Sequence, residues 1–204
     1  MESSHRRDRM PHAISAAGLL IALLILPTAS GRSHISAAGS GVAPGVGDKA
    51  ADFTLSALDG SAVTLSTELT HSPVVLVLLR GWPGYQCPFC TRQFGDFLEH
   101  AKDLQASGAR VIFIYPGPSE QVKQRAEEFT ANEEMPSNFR VLIDPAYAFT
   151  LAYGLRWDAP HETSYPSTFV IDTTSTVRYS QISRAHDGRA LASDVLTALA
   201  AMGH

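Results

Sequence analysis

Six apolar residues, Val74 to Leu79, run without a polar break into the segment that holds both cysteines of the chain, Arg80-Gly81-Trp82-Pro83-Gly84-Tyr85-Gln86-Cys87-Pro88-Phe89-Cys90-Thr91-Arg92-Gln93. A run this short and this rich in β-branched residues reads as a strand buried on both faces, because a half-exposed strand alternates with polar residues. Beyond it, Cys90, Phe94, Phe97, Leu98, Ala101 and Leu104 recur at helical spacing until Gly108. Pro88 suits a first helical turn, where its missing N–H is no loss. The spacing therefore predicts a central strand, then an amphipathic helix, with Cys87 at the helix entrance and Cys90 on the stripe that faces the core.

Thiols at i and i+3 across a helix start stand close enough to join as a disulfide with small adjustment. The helix entrance supplies the positive end of a dipole and free backbone N–H groups, both of which favour a thiolate, and Arg80 and Arg92 add to that field. Reversible redox chemistry is the first reading. A structural disulfide competes with it, although a clip across so short a loop adds little stability through chain entropy. One CxxC supplies only two zinc ligands, and haem attachment needs CxxCH where this chain has Thr91. No cofactor or metal is expected.

A chain of 204 residues with net charge −4 fits one globular domain, and no Lys/Arg cluster interleaved with aromatic residues marks a nucleic-acid footprint. Arg6, Arg7 and Arg9 precede an apolar stretch of 14 residues, Ala13 to Leu26, which Pro27 and small residues end. This pattern reads as a signal peptide over residues 1–30, since the apolar part is shorter than a bilayer span. Initiation at Met10 would remove the arginines. A Gly-, Ala- and Ser-rich linker is expected over 31–47 and the folded domain over 48–204. Export to the periplasm or beyond, with no stable membrane insertion after cleavage, follows from that reading. An oxidising compartment joins such cysteines by default unless a partner keeps them reduced.

Along the domain, Phe53, Leu55 and Leu58 against Val63 and Leu65, around Asp59-Gly60, predict a hairpin. Strands follow at 111–115 and 140–143, with a helix over 119–130 between them. Asp144-Pro145 reads as the cap and first turn of a short helix ending near Gly154. Residues 156–165 read as a loop, 168–171 and 176–182 as strands, and a last helix carries Leu191, Val195, Leu196 and Leu199. The fold class is α/β: a mixed central sheet with helices on both faces and an N-terminal β-hairpin extension.

Ala51-Asp52-Phe53-Thr54-Leu55, Asp59-Gly60, Tyr153-Gly154-Leu155 and Tyr165-Pro166-Ser167-Thr168-Phe169-Val170-Ile171-Asp172, together with the cysteine segment, carry a likeness to a known group. The chain resembles the redoxins of the thioredoxin superfamily, in particular the alkyl hydroperoxide reductase/thiol-specific antioxidant, or peroxiredoxin-like, branch. The resemblance implies a thioredoxin-like fold and antioxidant, thiol-dependent reduction of hydroperoxides. In the family's PxxxT/SxxC pattern Pro83 makes Cys90 the peroxidatic thiol and puts Cys87 where the family has Thr or Ser. Thioredoxin-type enzymes imply the reverse, with Cys87 attacking and Cys90 resolving.

Tyr165 stands where peroxiredoxins often have an Arg, which leaves Arg80 or Arg92 as the cation for a peroxide, and Pro166 matches the cis-proline that faces the thiols. Trp82, Pro83, Tyr165 and Pro166 are the implied substrate contacts, with Trp82 and Tyr85 at the mouth of the site. The histidines, including His100, His161 and His186, show no ligand or triad spacing and are expected on the surface. The implied partners are a hydroperoxide or a protein disulfide as substrate and a thioredoxin-like electron donor. An exported disulfide reductase and a non-catalytic binding module with a structural disulfide remain as alternatives.

Overall fold

The computed structural model describes residues 41–203; the expected signal segment, and the expected linker up to residue 40, lie outside the described residues. Seven strands form one sheet: β1 (Thr54–Ala57), β2 (Ala62–Thr64), β3 (Val74–Leu78), β4 (Arg110–Gly117), β5 (Phe139–Pro145), β6 (Ser167–Ile171) and β7 (Val177–Ile182), in the order β2-β1-β5-β4-β3-β6-β7. β4 is parallel to β3 and β5, and every other pairing is antiparallel. The helices are α1 (Leu65–Leu69), α2 (Pro88–Glu99), α3 (Ala101–Ala106), α4 (Val122–Thr130), α5 (Ala148–Ala152) and α6 (Ala192–Ala201).

The unbroken apolar run forms β3, buried at all five positions between β4 and β6. Because side chains alternate across a strand, Val75, Val77 and the following Leu79 point to one face and Val74, Leu76 and Leu78 to the other. The first set packs with Phe94 and Phe97 of α2, Leu104 of α3, Val122 of α4 and Val195 of α6. The second packs with Leu65 and Leu69 of α1 and Phe149 of α5. Helices thus cover both faces, as expected. Phe113 of β4 anchors the first core, with ring centroids 4.8 Å from Phe94, 5.5 Å from Phe97 and 5.9 Å from Phe139.

Three local expectations are corrected. The long helical period is two helices, because the backbone leaves helical geometry at His100 (φ −97°, ψ 13°), whose ring nitrogen Nδ1 lies 2.8 Å from the Asp96 carbonyl oxygen. Asp144-Pro145 ends β5 rather than opening a helix. α5 starts only after Tyr147, whose φ is 61°, yet the buried Asp144 carboxylate still accepts from the Phe149 N–H at 2.8 Å and the Thr150 N–H at 3.0 Å. It therefore caps first-turn donors from outside the helix. Leu191 sits at the N-cap of α6 and is 52% exposed instead of lying on its buried stripe.

Two sheet features place the cysteine segment. The end of β3 pairs with the start of β6, Leu78 opposite Ser167, which brings residues 80–90 to the same end of the sheet as Tyr165 and Pro166. Gly81 then turns the chain at φ +65°; a Cβ there would lie 2.0 Å from the Pro116 carbonyl oxygen. Only glycine permits that approach.

Candidate active site

Cys87 is the N-cap of α2, with Pro88 behind it in the first turn, and its carbonyl accepts the Cys90 N–H at 3.0 Å and the Thr91 N–H at 3.1 Å. Both cysteines are free thiols and each is 1% exposed. The loop between β3 and α2 is pinned from below. Tyr115 donates its hydroxyl to Gln86 Oε1 at 2.7 Å, and Gln86 Nε2 donates to the Arg125 carbonyl at 2.9 Å. From the side, Ser164 Oγ donates to the Leu79 carbonyl at 2.8 Å, and Thr163 Oγ1 donates to the Arg80 carbonyl.

The two sulfurs share their environment unequally. Cys90 Sγ accepts the Arg80 backbone N–H at 3.3 Å and Arg189 Nη1 at 3.3 Å, while Arg189 Nη2 reaches Cys87 Sγ at 3.8 Å. The neighbouring Cys90 side chain is the largest influence on Cys87 and holds its pKa well below the usual thiol range. Burial opposes this, and the Cys90 backbone N–H, the Arg189 charge and the Arg80 side chain reinforce it. Burial pushes the Cys90 thiol up, and the neighbouring Cys87 sulfur adds to that. The directions of the two shifts favour the proton on Cys90 and negative charge on Cys87.

Arg80, expected as a flanking cation, is 2% exposed, with each of its three guanidinium nitrogens bonded. Its Nε donates to Glu162 Oε2 at 2.6 Å, Nη1 to Tyr85 Oη at 2.8 Å and Nη2 to the His161 carbonyl at 2.6 Å. Those bonds use three of five guanidinium N–H groups, and its side chain also supports Cys87. Arg92 instead lies over the Phe89 ring, 4.6 Å from its centroid.

Among the expected substrate contacts, Tyr165 is half-buried, stacked on Trp157 with centroids 5.0 Å apart, and Arg184 lies 4.5 Å from its ring centre. Pro166 is buried directly before β6, and its carbonyl accepts the Ser183 N–H at 2.8 Å. Trp82 packs against the core beneath Arg125, whose guanidinium is 4.3 Å from its ring centroid, and the adjacent Pro83 is half-buried. Tyr85 is 46% exposed, with its hydroxyl on Arg80.

Sequence reasoning missed Arg189, Gln93 and Glu162. Gln93 is buried; its Oε1 accepts Arg189 Nη1 at 3.3 Å and its Nε2 donates to the Ala190 carbonyl at 3.1 Å. Glu162 joins Arg80 to His186, whose Nε2 lies 2.8 Å from Glu162 Oε1, so this histidine is not the plain surface residue expected. No spacing signal marks Glu162 and Arg189, which reach the site from separate loops, whereas Gln93 lies on α2 one turn after Cys90. Among the described residues no cluster of three or more His, Cys, Asp or Glu side chains could hold a metal ion, and no helix is long and apolar enough to cross a membrane.

Comparison with known proteins gives a consistent result. Residues 46–180 match the model of the AhpC/TSA family. A protein of Mycobacterium tuberculosis (strain ATCC 25618 / H37Rv), provisionally named a peroxiredoxin, is 27% identical over 140 residues, which span 66% of this chain and 83% of its own. The crystal structure of peroxidoxin BcpB from Mycobacterium tuberculosis is 26% identical with a TM-score of 0.59, covering 77% of this chain and 97% of that one. A Chlorobium tepidum structure provisionally titled a thiol:disulfide interchange protein DsbE is 28% identical with a TM-score of 0.56, covering 76% and 98%.

Proposed function

Because this chain belongs to the AhpC/TSA family and is a thiol-dependent oxidoreductase, we propose that it reduces hydroperoxides with Cys87 as the attacking thiolate and Cys90 as the resolving thiol. The place of Cys87 at the N-cap of α2, within 3.8 Å of Arg189 Nη2, carries this assignment, and the lowered pKa of its thiol agrees with it. The assignment reverses the roles implied by the PxxxT/SxxC likeness of Pro83 and Cys90. Position in that pattern alone does not make a thiol nucleophilic, because the thiolate is the reactive form.

In the proposed cycle the Cys87 thiolate attacks one oxygen of ROOH and the O–O bond breaks. Cys87 becomes a sulfenic acid, and the departing alkoxide takes the Cys90 proton to leave as ROH. The Cys90 thiolate then attacks the sulfenic sulfur; the S–S bond forms and hydroxide leaves. Two electrons have passed from the thiol pair to the peroxide, and a thioredoxin-like dithiol donor returns them by exchange. Arg189 stabilises negative charge on either sulfur throughout. Tyr165 and Pro166, at the same end of the sheet, are the proposed substrate walls, whereas Trp82 and Pro83 support the loop.

With each thiol 1% exposed, a small peroxide is favoured over a protein disulfide, whose sulfurs need in-line approach to an open thiol. The second reading, a disulfide reductase, draws support from the likeness to the Chlorobium tepidum structure and from the acidity of the first cysteine of the CxxC. Peroxide consumption in the presence of a dithiol supports the first reading. Substrate proteins trapped on Cys90→Ser, with no peroxide turnover, support the second. We also propose export, on the basic and apolar segments that begin the chain. Cell fractionation tests it.

A further inference from the structure

The loop of residues 183–189 carries Arg189 to the sulfurs, and one residue of that loop, His186, ties it to the pair of Glu162 and Arg80. The His186 carbonyl accepts Arg189 Nε at 2.9 Å, which fixes the guanidinium from behind. Its ring nitrogen Nε2 lies 2.8 Å from Glu162 Oε1, while the other oxygen of Glu162 holds the buried Arg80 at 2.6 Å. The ring also packs near Phe89, in the dipeptide between the two cysteines, at 6.0 Å, and near Trp157 at 5.4 Å. At the base of the loop Ser183 Oγ donates to the Ala185 carbonyl at 2.9 Å and also bonds the Asp187 carbonyl.

We propose that His186 is a positioning residue: its side-chain bond to Glu162 locks the loop so that its own carbonyl holds Arg189 across both sulfurs. The loop between β7 and α6 contains Gly188 at φ +68°, and side-chain bonds from Gln181 to the Gly188 carbonyl at 3.0 Å and from Gln93 to the Ala190 carbonyl at 3.1 Å hold its far end. Gln93 Oε1 supplies a second hold on Nη1, at a longer 3.3 Å. Breaking the tie to Glu162 leaves Arg189 with that contact and a loosened carbonyl. The guanidinium then spends less time on the sulfurs, and the thiolate loses part of its charge partner.

This inference rests on the assignment of Cys87 as the thiolate, and its test separates the two. His186→Phe keeps a ring against Phe89 and Trp157 but removes the bond to Glu162, whereas His186→Gln keeps a donor for Glu162. The side chain is 40% exposed, so both variants should fold; His186→Ala replaces the Phe variant if it does not. In the full-length reduced protein, thiolate absorbance and the acid limb of peroxide reduction are followed against pH. The Phe variant should shift both upward by up to about one pH unit, the Gln variant should stay near wild type, and Arg189→Ala combined with His186→Phe should shift no further than Arg189→Ala alone. A Phe variant that titrates like wild type, a Gln variant that shifts as far as Phe, or additive shifts in the double variant overturns the inference. An ordinary thiol titration in the wild-type protein would instead overturn the Cys87 assignment.

Discussion

Arg189 donates to the Cys90 sulfur at 3.3 Å across 99 residues of chain, and the other arm of the same guanidinium reaches Cys87 at 3.8 Å. One cation therefore serves both sulfurs of the pair, which suits a cycle in which negative charge passes from one to the other. Replacing it with Ala should lower kcat/KM for peroxide by about tenfold to a hundredfold, the equivalent of roughly 1.4 to 2.8 kcal/mol in the barrier. Arg189→Lys keeps the charge without the planar fork and should fall between wild type and Ala. Stopped-flow peroxide reduction compares the three.

The depressed pKa of Cys87 sets a pH dependence. A thiol with a lowered pKa is ionised above that value and loses its reactive form only as pH falls through it. Peroxide reduction should therefore hold its rate well below the ordinary thiol pKa of about 8.5, and fall only in acid. A profile whose acid limb lies at the ordinary value removes the basis for Cys87 as the attacking group.

At Gly81 the turn before the cysteine loop leaves no room for a side chain, because a Cβ would meet the Pro116 carbonyl oxygen at 2.0 Å. Gly81→Ala must shift that backbone, and the strain of a non-glycine residue at positive φ adds about 1 to 3 kcal/mol. We expect lowered thermal stability together with a slower sulfenate-forming step, read by a dimedone-type trap. Unchanged activity would mean that the loop tolerates displacement.

Phe113 touches Phe94, Phe97 and Phe139 between the sheet and α2, the helix that Cys87 caps and that carries Cys90. Phe113→Ala should cost about 3 to 5 kcal/mol of folding stability through lost contacts and the cavity left behind. Urea unfolding of the reduced protein measures it. Any loss of activity in this variant should track loss of folded protein.

Much of this scaffold is legible because its signals are local. The run from Val74 to Leu78 needs no partner to read as a buried strand, and the period of Phe94 and Phe97 marks the buried face of α2. Where a side chain competed with the backbone the pattern misled: His100 interrupts a helix whose apolar period continues past it, and Asp144 caps α5 from the end of a strand. The cysteine pair was legible by spacing, but its chemistry was not. Which thiol ionises depends on burial and on Arg80, Arg189, Glu162 and Gln93, three of which reach the pair from loops or turns far along the chain or through another side chain. Tyr165 and Pro166 were named by likeness alone, and the pairing of β6 with β3 brings them to the same end of the sheet as the cysteine loop.

The two single-cysteine variants test the central claim most directly. Reduced Cys90→Ser and Cys87→Ser are each treated with one equivalent of hydrogen peroxide at neutral pH, and sulfenic acid is located by mass spectrometry. With Cys87 as the attacking thiolate, Cys90→Ser forms a trappable sulfenate on Cys87 and Cys87→Ser consumes peroxide slowly. Rapid sulfenate formation on Cys90 in Cys87→Ser, with an inert Cys90→Ser, would contradict it.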